Sequence, residues 1–182
     1  MIKMKQEKGK HTKKGIIKYI FLMPLAEIIL GLPLHYPIRI FILRLLGAEI
    51  GKNVIIYNVK FIHYCEGSFK NLIIGSNSYI APNTTIDLRD KVTIKENATI
   101  SPNVLILTHS NSNNDLSRIY PYKHKEVVIG KNSWICAGAV ILCGVKIGDN
   151  SVVGAGSVVT KNVDSNSLFA GIPAKKIKEI KI

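Results

Sequence analysis

Aromatic residues are scarce in this 182-residue chain, at 7%, and tryptophan occurs once, as Trp134. A core built on large rings is therefore excluded, and the abundant Ile and Val must fill it as stacked β-branched side chains. Cysteine is sparse too: Cys65, Cys136 and Cys143. An odd count without framework spacing argues against a secreted disulfide scaffold and suits a reducing cytoplasm. No CxxC pair occurs, which speaks against a cysteine-based zinc site. Acidic residues number 12 against 25 Lys and Arg, for a formal net charge of +13. Such an excess suggests a polyanion, a membrane surface or a phosphorylated ligand as partner. Nucleic acid is disfavoured, because no aromatic-interleaved basic patch or nucleic-acid-binding motif is present. The length suits one domain with a full core.

A long unbroken apolar run is also missing. Residues 1–14 hold six lysines against Glu7, and "GIIKYIFLMPLAEIILGLPL" follows. Pro24, Glu27 and Pro33 interrupt it and no small-residue cleavage site follows, so it reads neither as a signal peptide nor as a span of roughly 20 apolar residues. Residues 16–46 are expected to form short helices. In "YPIRIFILRLLG" the residues Ile38, Phe41, Ile42, Leu45 and Leu46 share one helical face. That face either caps a core or lies on a membrane surface beside the lysines. The expected organisation is a basic, helical leader over residues 1–46 and a second region over 47–182.

What the second region does have is a beat of six. Aliphatic residues recur at Ile74, Ile80 and Ile86, at Ile94, Ile100 and Ile106, and again at Ile129, Ile135, Ile141, Ile147, Val153 and Val159. Small or β-branched residues often stand four places on, and glycine often follows directly, as in Gly75, Gly130 and Gly148. A helical face repeats at three and four, and glycine with β-branched residues disfavours helix. A period of six instead fits a coil of three short strands, each ending in a turn that glycine or asparagine can make. Coils of this kind stack into a solenoid with a continuous aliphatic core.

With this repeat, and above all with "VVIGKNSWICAGAVILCGVKIGDNSVVGAGSVVTKNV" closing on "AGIPAKKIKEI", the chain resembles the hexapeptide-repeat acyltransferases. Its nearest likeness there is to the galactoside, maltose, Nod-factor and polysaccharide O-acetyltransferases. The resemblance covers about residues 45–180. It implies a mainly β fold, a left-handed parallel β-helix, working as a homotrimer with active sites between subunits. It further implies acetyl-CoA as donor and a saccharide hydroxyl as acceptor, with no metal. A surface polysaccharide precursor fits the long basic leader; a small free sugar, an antibiotic or serine are the alternative acceptors, and a catalytically silent scaffold the non-enzymatic one. A cytoplasmic protein is expected, in peripheral contact with the membrane if the leader lies on it.

The beat stops between Ile106 and Ile129, 23 positions apart where the period allows six. The insert, a protruding loop over 108–127, is polar and holds His109, Asn111, Asp115, Arg118 and His124. Loops on rigid scaffolds are where chemistry is placed. A sugar hydroxyl needs a base, and imidazole, with an unperturbed pKa of about 6.5, is well matched to the task. His109 aligns with the family's catalytic histidine. By the same resemblance Asn83 and Trp134 would contact the acceptor, while Asp87 would orient either His109 or the sugar. Ala137 would offer its N–H to the thioester carbonyl, and Ala155 would leave room for the pantetheine arm. Thr160 and Lys161 would meet the far end of the cofactor, with Lys175 and Lys178, in the 165–182 tail, where relatives often use arginine. His63 and His124 raise a zinc alternative of three converging imidazoles, disfavoured because no pair of histidines stands five apart. Cys136 and Cys143 replace glycine and proline of the relatives; direct transfer in the family leaves no acyl-cysteine step.

Overall fold

The computed structural model describes residues 28–32, 34–64, 68–112 and 115–181. The chain divides into two compact units, 1–32 and 33–182. In the first, residues 28–31 form a turn of helix; the expected helices before residue 28, and the lysine-rich leader, lie outside the described residues. No helix among the described residues is long and apolar enough to cross a membrane.

The second unit is a stack of coils with three flat faces. Face A carries Glu49–Ile50, Leu72–Ile74, Val92–Ile94, Val127–Ile129 and Lys146–Ile147. Face B carries Ile55–Ile56, Tyr79–Ile80, Thr99–Ile100, Trp134–Ile135, Val152–Val153 and Ser167–Gly171, and face C Lys60–Ile62, Thr85–Asp87, Leu105–Ile106, Val140–Ile141 and Val158–Val159. Neighbours within each face are parallel, in the register Ile74↔Ile94↔Ile129↔Ile147, Ile80↔Ile100↔Ile135↔Val153 and Ile86↔Ile106↔Ile141↔Val159. These are the twelve residues of the six-beat, and none is more than 2% exposed. The two-residue strands of the coils contribute one inward side chain each and Leu72–Ile74, Val92–Ile94 and Val127–Ile129 two each, so burial comes from the counterpart one coil away.

The corners follow from residue type. Between faces A and B the turn places Asn53, Asn77, Asn97, Asn132 and Asn150 at φ of 54–59°, the left-handed region that asparagine tolerates. Their amides form a ladder, Asn132 to Asn150 to Asn166 at 3.0 Å per step. Two places earlier the coils touch: a Cβ on Gly130 would stand 2.5 Å from the carbonyl of Gly148.

Helix α1, Tyr36–Leu45, packs on the first coil, and the buried face differs from the expected one. Arg39, Ile40 and Leu43 are buried, whereas Ile38, Phe41 and Leu45 are 52%, 66% and 78% exposed. Its rotation is set by polar groups: the Arg44 guanidinium donates to the carbonyls of Ile50 (2.8 Å) and Gly51 (2.8 Å). This clamp joins α1 to the coils, and both lie in the compact unit 33–182. At the other end the 165–182 tail continues face B, as Ser167–Gly171 pairs with Val152–Val153 and then antiparallel with Ala174–Glu179.

Candidate active site at the C-to-A corner

Four residues are enough to turn from face C to face A, as between Ile141 and Lys146. At this corner alone, three successive coils carry something longer or different. The first inserts 63–71, the second turns through 88–91 after a C strand that runs on to Asp87, and the third inserts 107–126. The last folds as an antiparallel hairpin of His109–Ser110 and Lys123–His124, with His109 opposite His124. Because the coils stack, residues distant in sequence meet here in one column.

The centre of the column is Asp87, whose side chain is fully buried. One oxygen, Oδ2, accepts from His109 Nδ1 at 2.5 Å and from the Thr108 N–H at 2.9 Å. The other, Oδ1, faces His63 Nδ1 at 3.0 Å and accepts from the Arg89 N–H at 3.1 Å. Burial pushes the Asp87 carboxyl up, but the hydrogen bonds from His109, Arg89 and Thr108 outweigh it and hold the pKa below the ordinary value. An ionised carboxylate has only lone pairs, so each facing Nδ1 carries the hydrogen. In the neutral ring His109 Nε2 is then a bare acceptor, the arrangement a general base needs. Thr108 locks the corner from behind: its hydroxyl donates to the Asp87 carbonyl (3.2 Å) and accepts from the Asp90 N–H (3.0 Å). Asp90 in turn holds His124 Nδ1 at 2.8 Å.

Asp87, read as orienting either the histidine or the sugar, thus sits behind His109 with no surface left for a sugar. His63 is the residue of this column that the six-beat did not single out. A signal was present: Ile86 and Ile94 stand eight apart where the period allows six, and the inward residues Phe61 and Ile74 stand 13 apart, both at the corner of the larger insert. Ligand atoms of His63, Asp87 and His109 lie within 4.8 Å of one another. All four carboxylate positions already face N–H donors, however, and His124 is turned to Asp90, so three imidazoles do not converge among the described residues.

The remaining expected residues lie elsewhere on the wall. Trp134 projects outward from face B, 49% exposed, its indole N–H donating to Ser101 Oγ at 2.9 Å; it is not a core residue. Asn83 is exposed at the B-to-C corner with φ of 61°, the conformation of a turn asparagine with its amide outward. Ala137 and Ala155 are exposed at the same corner, one coil apart, the Ala137 carbonyl accepting from the Gly156 N–H at 2.9 Å. Among the described residues the Ala137 N–H donates to no protein group. Thr160 and Lys161 are exposed past the last C strand. Lys175 and Lys178 are exposed on the edge strand and pair with no acid among the described residues, unlike Lys176, which reaches Glu179 at 3.3 Å. One chain therefore separates His109 from Trp134 and Asn83. Burial pushes the thiols of Cys136 and Cys143 up, away from the thiolate a nucleophile requires.

Known proteins share this architecture. The family model described as bacterial transferase hexapeptide (six repeats) matches residues 126–161. The chain is 40% identical to the galactoside O-acetyltransferase of Escherichia coli (strain K12) over 134 residues, 73% of this chain but 64% of that protein's length. It is 33% identical over 145 residues, 79% of this chain and 76% of the other, to WcaF of the same organism, whose name refers to colanic acid biosynthesis. A hexapeptide-repeat acetyltransferase of Vibrio cholerae O1 biovar eltor, solved with acetyl coenzyme A, superposes with a TM-score of 0.76 at 26% identity, covering 87% of this chain and 85% of that one. With its six-residue beat, three-faced stack and corner histidine, the chain belongs to the hexapeptide-repeat acyltransferases, and its fold is their left-handed parallel β-helix.

Proposed function

We propose that this protein is an O-acetyltransferase that moves an acetyl group from acetyl-CoA to a saccharide hydroxyl in surface polysaccharide biosynthesis, with His109 as base. The observation that carries this reading is the His109–Asp87 pair at the head of the corner hairpin. Acetyl-CoA supplies an activated acyl group as a thioester. His109 Nε2 takes the proton of the acceptor hydroxyl as the new C–O bond forms. The imidazolium so produced is stabilised by the buried Asp87 carboxylate, which is already ionised and already oriented. Ala137 offers its N–H to the carbonyl oxygen as negative charge develops there. When the C–S bond breaks, His109 returns the proton to the departing thiolate, and both ring and carboxylate are restored. Lys161, Lys175 and Lys178 supply positive charge for the phosphates of the donor, while Asn83 and Trp134 hold the acceptor.

The galactoside O-acetyltransferase and WcaF support the saccharide acceptor, and the Vibrio cholerae complex supports the donor. The separation of His109 from Trp134 and Asn83 within one chain supports a homotrimer whose sites lie between subunits. A cytoplasmic protein at the inner face of the membrane accords with the basic leader and the exposed Ile38, Phe41 and Leu45 of α1. The test is thiol release from acetyl-CoA across a panel of saccharides. His109→Ala is expected to lower acceptor-dependent release by about 10²-fold or more, and equal release in both proteins would remove His109 from its role.

A further inference from the structure

Asp87 holds two histidines, and the reaction above uses one. His63 opens the first corner insertion with φ of 57°, a left-handed conformation uncommon outside glycine, which histidine adopts more readily than most residues. That conformation delivers its ring to Asp87 Oδ1. The ring stands edge-on to that of His109, with centroids 4.5 Å apart and planes at 74°. The His63 side chain is 34% exposed and that of His109 17%, while the carboxylate between them is fully buried.

Proton placement follows from this geometry. With both Nδ1 atoms donating to one ionised carboxylate, both Nε2 atoms of the neutral rings are acceptors. Nδ1 and Nε2 lie on opposite sides of an imidazole, so a ring whose Nδ1 points at a buried group turns Nε2 towards the open side. Two acceptors therefore stand beside each other at one opening, and a single hydroxyl can satisfy one of them. A substrate with a second O–H close to the first satisfies both. A substrate lacking it leaves one desolvated acceptor without a partner, which the site penalises.

Resting on the acetyltransferase reading of the site, the geometry points to His63 as a specificity-determining residue. It accepts a hydrogen bond from a second acceptor hydroxyl adjacent to the one acetylated. The substrate class is then a sugar or polyol with neighbouring hydroxyls, and the adjacent hydroxyl is read by the same carboxylate that orients the base.

The experiment compares a parent glycoside with monodeoxy analogues lacking, in turn, each hydroxyl next to the acetylated position. Thiol release is followed with wild type, His63→Asn and His63→Ala. Asparagine suits the left-handed backbone at this position, and alanine gives a second variant should asparagine disturb the fold. In wild type one deoxy analogue is expected to lose about tenfold or more in kcat/KM. In the His63 variants the parent itself should fall by a similar factor, and the deoxy penalty should shrink to within about twofold. An undiminished deoxy penalty in both variants, or no penalty in wild type, would overturn the inference while leaving acetyl transfer intact. Absence of acceptor-dependent release from wild type on every saccharide would instead overturn the acetyltransferase reading itself, and the inference with it.

Discussion

Four N–H groups converge on the Asp87 carboxylate, two on each oxygen. An asparagine there must place its NH₂ against a backbone N–H whichever way it is turned, and must offer a donor to one of the two rings. Asp87→Asn is therefore expected to lower turnover by about 10²–10⁴-fold and to destabilise the fold by about 1–3 kcal/mol through unsatisfied donors. Because the pKa of Asp87 is depressed in the folded chain, the stability it contributes is fully present above the ordinary carboxylate value of about 3.9. It is lost as pH falls through the lower folded value. Urea unfolding of both proteins should show the gap at neutral pH and its narrowing below that range; a gap constant with pH would mean that ionisation of Asp87 is not its source.

At the scale of strands and corners, stability lies in the contact between coils. Gly130 is placed where the next coil's backbone passes within 2.5 Å of a would-be Cβ. Gly130→Ala should cost about 1–3 kcal/mol, read as a lower urea midpoint with an unchanged slope. These elements were largely legible in the sequence, because inward side chains in a solenoid answer to one period and the twelve aliphatic residues keep it. Helix α1 was less so. Apolar residues lie nearly all around it, so the face that periodicity picked was not the one buried, and Arg44 holds the observed face by binding two carbonyls of the first coil. Of the site, His109 stood out because its insert is long. His63 and its bond to Asp87 did not, since two smaller slips of the beat share a corner only after the coils are stacked. Which faces would meet in the proposed homotrimer is likewise a property of surfaces that periodicity does not report.

At the scale of the whole molecule, the proposed homotrimer with sites between subunits makes a definite prediction. In it, His109→Ala and Trp134→Ala would each impair a different half of every site. In a trimer containing both variants, one interface joins an intact His109 to an intact Trp134. Equal mixing of the two should restore about a quarter of wild-type activity, the mixed trimers being about three-quarters of the population with one sound site in three. Light scattering should give three times the 20.1 kDa chain mass, and failure of the mixture to exceed its parents would place each site within one chain. The corner insert also bears on how the stack closes. Ile106 pairs with Ile141 across 35 positions, whereas Ile141 pairs with Val159 across 18. Loop-closure entropy grows only with the logarithm of length, so this near doubling costs about 0.6 kcal/mol. The hairpin that carries His109 can therefore be lengthened or exchanged at little expense to the ordering of the chain, and under the proposed function variation in the acceptor is cheapest at the corner where the proposed base stands.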